Sequence, residues 1–328
     1  MSTNLLFICF ISFLSGISLL ILFRKLSLEY NVLIYRGIPL IGGIAIGLTL
    51  CLAILFSHAI LKIASPRILG IIIPAFAMLF FGLIDDWREL SVSTKALVQV
   101  ICISILVSFG IRARIVYIGE FLNVIITFVW MLGITNAFNH LDVMDGVAAT
   151  AGVLASLSFF IISVLNNDAN TAVLTLSLAT ASLSFLIYNF PPAAIYLGNS
   201  GSHFLGFVLA AAALNLSYAS LERKTALLTP LLILGLPIFD TAFVILMRIK
   251  QGRSIFRKSN DHLSLRFLKL GYSKNKTLLS MSLLAVFFSL SGIALSKVSG
   301  ALGICIILLS VLVGLVITCR MYKVSVDG

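Results

Sequence analysis

Charged residues are scarce in this sequence. Only 11% of its 328 residues are Asp, Glu, Lys or Arg, and 60% are hydrophobic, whereas about a quarter of the residues of a soluble domain are charged. The mean hydropathy is +1.14. These values exclude a soluble globular protein. They also exclude a soluble basic module that binds nucleic acid, although the net charge is +11.

Cysteine pairs with a metal-binding or redox spacing are lacking as well. None of the five cysteines belongs to a CxxC motif, and all of them lie in apolar stretches: Cys9, Cys51, Cys102, Cys305 and Cys319. This pattern excludes a disulfide framework and a cysteine-based metal site, and it indicates packing roles.

Long apolar runs dominate the chain. A helix needs roughly 20 apolar residues to cross a bilayer, and eleven candidate segments are present: 3–23, 40–61, 68–84, 96–111, 121–138, 147–165, 171–190, 203–220, 227–247, 277–296 and 299–319. We therefore predict an all-α, polytopic integral membrane protein with about 10–11 transmembrane helices. Arg24 and Lys25 follow the first segment rather than precede it, which is not typical of a cleaved signal peptide.

The positive charges divide unequally between alternate connections. Sixteen of the 23 lysines and arginines lie in odd-numbered connections and at the C-terminus. By the positive-inside rule, these connections are cytoplasmic, with the N-terminus outside and the C-terminus inside. We expect one transmembrane domain, 1–328, whose active-site loops face the cytoplasm: 85–95, 136–146, 190–202 and 248–276.

The 12 acidic residues are concentrated on this predicted cytoplasmic side. Asp85 and Asp86 end an apolar run in FGLIDDW. In NAFNHLDVMDG, the two amides and two carboxylates at i,i+3 spacing are Asn136, Asn139, Asp142 and Asp145, and this spacing places neighbours on one side of a helix. Such groups at a membrane surface bind a cation or position a substrate. The alternatives are loop solubilisation and helix capping.

Three further polar features stand out. YLGNSGS at 196–202 offers backbone amides for an anion nest at a helix N-terminus, or is an ordinary turn. The loop 248–276 has nine positive charges, which could neutralise a diphosphate or only anchor the loop. Asp240 is the one acid inside an apolar run, and we predict a structural role in which it pairs with Lys or Arg of another loop.

In their order, these stretches resemble the polyprenyl-phosphate N-acetylhexosamine-1-phosphate transferase family of WecA- and MraY-like enzymes (glycosyltransferase family 4). The resemblance covers most of the chain and rests on the following stretches: PLIGGIAIGL at 39–48, GLIDDW at 82–87, Lys95, NAFNHLDVMDG at 136–146, YLGNSGSHFLG at 196–206 and PIFDTAFVILMRIKQGRSIF at 237–256. The ten or eleven helices of that family agree with the segments above.

The resemblance implies catalytic roles for four aspartates: Asp85, Asp86, Asp142 and Asp145. It implies that Asn139 and the residue at position 199 bind Mg²⁺, with Mn²⁺ as an alternative. The family has Asp where this chain has Asn199. Because an amide oxygen brings no charge, we expect a weaker metal site.

The same resemblance implies substrate-binding roles. Lys95 would contact phosphate oxygens, with Asn136 beside the same site. Arg253 and His262 would hold the nucleotide-sugar. A histidine cluster of the family is reduced here to His262, so we suggest that Arg266 takes over a phosphate contact.

The implied activity is the transfer of a sugar-1-phosphate, N-acetylhexosamine-1-phosphate by resemblance, from a UDP-sugar to polyprenyl (undecaprenyl) phosphate in the bacterial inner membrane. This would be the first membrane step in the synthesis of lipopolysaccharide or another cell-wall glycan. A homodimer is compatible with the resemblance. Two alternatives remain: a non-catalytic family member that binds lipid phosphate or nucleotide-sugar, and a secondary transporter or lipid carrier.

Overall fold

The fold is all-α, as predicted, apart from one short hairpin. The computed structural model describes residues 2–61, 65–218, 223–254, 260–324 and 326, with the side chains of residues 2–4, 60 and 61 excepted. Its first half consists of α1 (Ser2–Tyr30), the hairpin β1 (Ile34–Tyr35) and β2 (Ile38–Pro39), α2 (Gly42–Leu61), α3 (Pro66–Trp87), α4 (Val92–Ser108) and α5 (Gly119–Leu141).

The second half continues with α6 (Val147–Leu165), α7 (Ala169–Asn189), α8 (Gly198–Asn215), a 3₁₀ turn (Lys224–Leu228), α9 (Thr229–Ile233), α10 (Gly235–Lys250), α11 (Leu263–Lys269), α12 (Lys274–Leu295) and α13 (Gly300–Met321). Each of the eleven predicted apolar segments overlaps a helix, and α9 and α10 share one of them.

Eight helices in the described ranges are long and apolar enough to cross a membrane, and nine if α9 and α10, bent by 75° at their junction, form one span. The two other predicted segments correspond to α4 and α8. The 17-residue helix α4 is shorter than a full span. The helix α8 starts five residues earlier than predicted and so includes the polar stretch that begins at Gly198.

The helix α8 is the centre of the bundle. All of its residues from Ser200 to Ala213 are buried, and it packs against α2, α3 and α5. Glycines allow this close approach, since a Cβ on Gly82 would lie 2.4 Å from Ser200 Cα and one on Gly43 would lie 2.6 Å from Gly201 Cα. Small residues at helix contacts are typical of membrane bundles.

The chain enters α8 along the start of α2. The backbone N–H of Tyr196 donates to Pro39 O at 2.8 Å, and those of Gly42 and Gly43 donate to Tyr196 O and Leu197 O at 3.0 and 3.1 Å. These bonds fix the segment before α8. As a result, the N-terminal end of α8 lies beside the C-terminal end of α3, where the paired aspartates are.

Candidate active site

The paired aspartates at the end of α3 have different partners. Successive residues of a helix lie about 100° apart around its axis, so the two side chains diverge. Asp85 Oδ2 lies 2.6 Å from Lys95 Nζ, and Asp85 Oδ1 accepts the Leu90 N–H at 2.8 Å. Asp85 therefore orients Lys95 and fixes the connection from α3 to α4.

Asp86 instead binds the N-terminal end of α8. Its Oδ1 accepts the Asn199 N–H at 2.7 Å, and its Oδ2 accepts the Ser200 N–H at 3.0 Å. Free amides at a helix N-terminus favour an anion. The predicted anion nest at 196–202 thus exists, and the anion in it is a carboxylate of this chain.

Gly198 makes that contact possible. Its φ is +76°, in the left-handed region that favours glycine, and a Cβ at this position would lie 2.7 Å from Asp86 Oδ2. Only glycine satisfies both conditions without strain. Gly198, which the sequence analysis included in the anion nest, is therefore required because Asp86 approaches it so closely.

The two predicted metal ligands are neighbours. Asn139, near the end of α5, donates from Nδ2 to Asn199 Oδ1 at 2.9 Å and to Ser202 Oγ at 3.0 Å. His203, one turn after Asn199, makes a 2.8 Å hydrogen bond between its Nδ1 and Asn199 O. Asp86, Asn199 and Asn139 are thus joined through direct contacts across three helices.

The acids that follow α5 lie at the same end of the bundle. Burial, together with the charges of Asp86 and Asp145, raises the pKa of the Asp142 carboxyl to about 7 from its ordinary 3.8. Asp145 Oδ2 lies 3.2 Å from Lys274 Nζ at the start of α12. The ionised form of Asp142 is therefore costly, and a bound cation would favour it.

The amide of Asn136 is occupied within the protein. Asn136 Nδ2 donates to Gln99 Oε1 at 2.9 Å and to Leu132 O at 2.8 Å, and Gln99 Nε2 donates back to Asn136 Oδ1 at 3.3 Å. This reciprocal pair links α5 to α4 one turn from Lys95. The substrate-binding role of Asn136 stays a prediction, but both of its donors already have partners.

The predicted nucleotide-binding residues divide into two groups. His262 is buried, and its Nδ1 lies 2.8 Å from Asp240 Oδ2. The partner of Asp240 is therefore an imidazole and not the Lys or Arg that the sequence suggested. His262 also stands edge-on to His140, with 6.4 Å between the ring centroids, and this contact connects it to the end of α5.

Arg266 and Arg253 are placed differently. The buried Arg266 lies 2.5 Å from Asp261 Oδ1 and donates to Asp261 O, Met321 O and Val324 O, so it joins α11 to the end of α13. Its phosphate contact stays a prediction that this geometry does not support. Arg253 lies in the exposed turn after α10, and residues 255–259 of its loop lie outside the described residues.

A separate cavity of about 350 Å³ lies between the C-terminal end of α4 and the N-terminal end of α5. Arg112, Arg114 and Glu120 are among its lining residues, and Arg112 is paired with Glu120 at 2.6 Å. These are the opposite helix ends from those near Lys95 and Asn139. The cavity is therefore no part of the site.

Known proteins match the chain along most of its length. Residues 68–217 match the family described as "Glycosyl transferase family 4". The chain is 30% identical to a "Probable undecaprenyl-phosphate N-acetylglucosaminyl 1-phosphate transferase" from Bacillus subtilis, over 84% of this chain and 78% of the relative. The chain belongs to glycosyl transferase family 4.

Two further relatives have similar names. A "Decaprenyl-phosphate N-acetylglucosaminephosphotransferase" from Mycobacterium leprae is 28% identical over 74% of this chain and 69% of that protein. An "Undecaprenyl-phosphate alpha-N-acetylglucosaminyl 1-phosphate transferase" from Thermotoga maritima is 28% identical over 79% of this chain and 77% of that protein. The resemblance found in the sequence is thus confirmed at the level of the family.

The residues at the site of this family member suit a hard divalent cation. No group of three or more His, Cys, Asp or Glu side chains in the described ranges is placed to hold a metal. Mg²⁺, however, commonly uses one or two carboxylates together with waters and substrate phosphates. The side-chain amides of Asn139 and Asn199 are adjacent, and each has an oxygen that can ligate a metal. Asp142 is a half-buried carboxylate close to Asp86 and Asp145. This donor set fits Mg²⁺.

Sequence reasoning missed two residues near the site, and it missed the contacts of two others. Gln99 and Lys274 were not singled out, although Gln99 lies one turn after Lys95. Asp261 lies beside His262 in the sequence, and only the fold shows its bond to Arg266. The requirement for glycine at position 198, the first residue of α8, comes from its positive φ and from the approach of Asp86, and only the fold shows both.

Proposed function

We propose that this chain transfers N-acetylhexosamine-1-phosphate from a UDP-sugar to undecaprenyl phosphate or a similar polyprenyl phosphate. The products are a polyprenyl-diphosphate-sugar and UMP. The names of the relatives support this reaction, and the donor set described above supports Mg²⁺, or Mn²⁺, as the cofactor. The observation that carries the proposal is the meeting of Asp86, Asn199 and Asn139 at one end of the bundle.

The charge balance at this end supports a cation. Lys95 pairs with Asp85 and Lys274 pairs with Asp145, while the described residues offer no ion-pair partner to Asp86 or Asp142. Both substrates are anionic and would be repelled by the two remaining carboxylates. A divalent cation would offset this charge and allow the anions to bind.

The chain's own residues position the reacting groups. One oxygen of the lipid phosphate attacks the sugar-linked phosphorus of the UDP-sugar, and the bond from that phosphorus to the bridging oxygen breaks, so that UMP leaves. Lys95 forms an ion pair with Asp85, and at least two of its three N–H groups remain for phosphate oxygens. Mg²⁺ held by Asn139, Asn199 and Asp142 would supply positive charge to the diphosphate oxygens.

A strong general base is not needed for this step. The second pKa of a phosphate monoester is near 6, so the attacking phosphate is already largely dianionic at pH 7. Asp85 is then an orienting group for Lys95. Positioning and electrostatic stabilisation carry the catalysis, as in other phosphoryl transfers.

We also propose that the site faces the cytoplasm. The support is the unequal distribution of Lys and Arg between alternate connections, because the loops that carry Lys95 and Lys274 belong to the positive set. UDP-sugars are soluble anions, and a lipid phosphate lies at the bilayer surface. A site at helix ends on that surface suits both substrates. A transporter would instead place its polar site near the midplane.

The test is a transfer assay. Purified protein in detergent receives Mg²⁺, undecaprenyl phosphate and one of a panel of radiolabelled UDP-N-acetylhexosamines, and label in the organic phase is counted. We expect label to enter the lipid with one or more sugars and to be lost in EDTA. A Lys95→Gln variant serves as a control and should lose most activity. Binding of UMP without transfer of any sugar would favour the non-catalytic alternative.

A further inference from the structure

A buried carboxylate within a helix contacts the histidine that is predicted to hold the nucleotide-sugar. Asp240 lies on α10 and is only 1% exposed. Its Oδ2 contacts His262 Nδ1 at 2.8 Å, and its Oδ1 accepts the Leu263 N–H at 2.8 Å. One side chain therefore holds both the imidazole and the first turn of α11.

This contact determines which ring nitrogen carries the proton. An ionised carboxylate only accepts hydrogen bonds, so Nδ1 of His262 must be the donor. In the neutral ring, Nε2 is then an acceptor. Within the described residues, the imidazole ring of His262 forms no hydrogen bond besides the one to Asp240.

The ring also lies close to the other predicted site residues. His262 stands against His140 with 6.4 Å between the ring centroids. His140 directly follows Asn139, whose amide contacts Asn199. The free ring nitrogen thus belongs to the same region as the predicted metal ligands.

We propose that Asp240 is a positioning residue for nucleotide-sugar binding. It holds His262 in the tautomer in which Nε2 accepts a hydrogen bond from an N–H or O–H of the ligand. Phosphate oxygens are acceptors and do not satisfy this nitrogen in the neutral ring. The ligand group is therefore an N–H or O–H of the uridine or a hydroxyl of the sugar. This inference rests on the proposed function, because it takes a UDP-sugar as the ligand.

The decisive variant is Asp240→Asn. The asparagine can still accept the Leu263 N–H, but its NH₂ group can donate to His262 Nδ1, which moves the ring proton to Nε2. The acceptor then becomes a donor. At pH 8, where an ordinary imidazole is neutral, we expect the Kd of the ligand to rise about tenfold, the value of one hydrogen bond.

Two ligands distinguish the sources of the donor group. Calorimetry on the purified protein measures the Kd values of UMP and of UDP-N-acetylglucosamine. Equal weakening of both in Asp240→Asn assigns the donor to the uridine, and weakening of the UDP-sugar alone assigns it to the sugar. Unchanged Kd values for both would overturn the proposal, as would a wild-type protein that binds neither ligand.

Further variants separate positioning from stability. In a His262→Ala background, Asp240→Asn should have no additional effect on binding, and independent additive losses would contradict the proposal. His262→Ala alone should weaken binding as much as Asp240→Asn does, with little change in melting temperature. Asp261→Asn, which breaks the Arg266 pair in the same segment, should lower the melting temperature and leave the KM for undecaprenyl phosphate unchanged.

Kinetics add a readout that a purely structural role would not move. Asp240→Asn should raise the KM for the UDP-sugar and leave the KM for undecaprenyl phosphate unchanged. Parallel loss of both would assign Asp240 to stability alone. If the wild type binds UMP but transfers no sugar, the proposed function fails, while the binding experiments still decide the role of Asp240.

Discussion

Replacing Asn199 with aspartate should strengthen metal binding. The side chain of Asn199 contacts Asn139, and the backbone N–H of the same residue donates to Asp86. An aspartate has nearly the same shape as asparagine and can still accept from Asn139 Nδ2. The substitution therefore adds one negative charge to the proposed Mg²⁺ site with little change in packing.

The size of the effect follows from the charges already present. At this end of the bundle, Asp85 and Asp145 have lysine partners, whereas Asp86 and Asp142 have none among the described residues. Asn199→Asp adds one further negative charge beside them. At 4 Å and an effective dielectric constant of about 20, the new charge attracts Mg²⁺ by roughly 8 kcal/mol. Its repulsion by Asp86 is present with and without the metal and does not change the affinity.

Desolvation costs several kcal/mol for each of the two ions and cancels most of this attraction. The net gain is about 1–3 kcal/mol, which corresponds to a tenfold to hundredfold lower half-saturating Mg²⁺ concentration.

The assay is sugar transfer measured over a range of Mg²⁺ concentrations at fixed substrate. Asn275→Asp is the matched control, because it adds the same charge at an exposed position in the first turn of α12. We expect the control to follow the wild type and Asn199→Asp to saturate at lower Mg²⁺. If Asn199→Asp has the same Mg²⁺ dependence as the wild type, position 199 does not ligate the metal and the charge argument is refuted.

Three further predictions follow from the site. Asp142→Asn should raise the melting temperature of the metal-free protein at pH 8 but not at pH 4. The pKa of Asp142 is about 7 in the folded protein and ordinarily 3.8, so its ionisation costs stability as the pH rises through this range, up to roughly 4 kcal/mol. An equal effect at both pH values would contradict this. Gly198→Ala should lower the melting temperature more than Gly110→Ala. Both glycines have a positive φ, but only at Gly198 would the added Cβ meet Asp86. Equal decreases in melting temperature would assign the whole effect to backbone strain. Asp85→Asn should reduce transfer at every pH by releasing Lys95, and full recovery at high pH would make Asp85 a general base instead.

Much of the fold could be predicted because hydrophobicity along a membrane protein is a local property. A run of roughly 20 apolar residues predicts its own helix whatever its neighbours are. The boundaries were less accurate where a helix continues into polar sequence. The helix α8 begins at Gly198 rather than at residue 203, because Asp86 satisfies the exposed amides of its polar first turn and so stabilises it.

The members of the site were predictable from the resemblance, but their contacts were not. Asn136 and Gln99 are 37 positions apart, and Asp240 and His262 are 22 positions apart. No local pattern specifies such pairs, because they form only when separate helices pack. The sequence also gave no sign that Arg266 would bind the end of α13, since that contact uses backbone carbonyls, which every residue carries.

Polar groups inside a membrane bundle must bind one another when no substrate is present, because an unpaired group there is costly. A predicted substrate contact can therefore act only if it keeps a free donor or acceptor after this pairing. Lys95 keeps two N–H groups beside Asp85, and His262 keeps its Nε2. Both donors of Asn136 and four of the five of Arg266 are used within the protein. Lys95 and His262 thus keep hydrogen-bonding groups with which they can bind substrate. Asn136 and Arg266 use theirs within the protein, where they hold the helices that position Lys95 and His262.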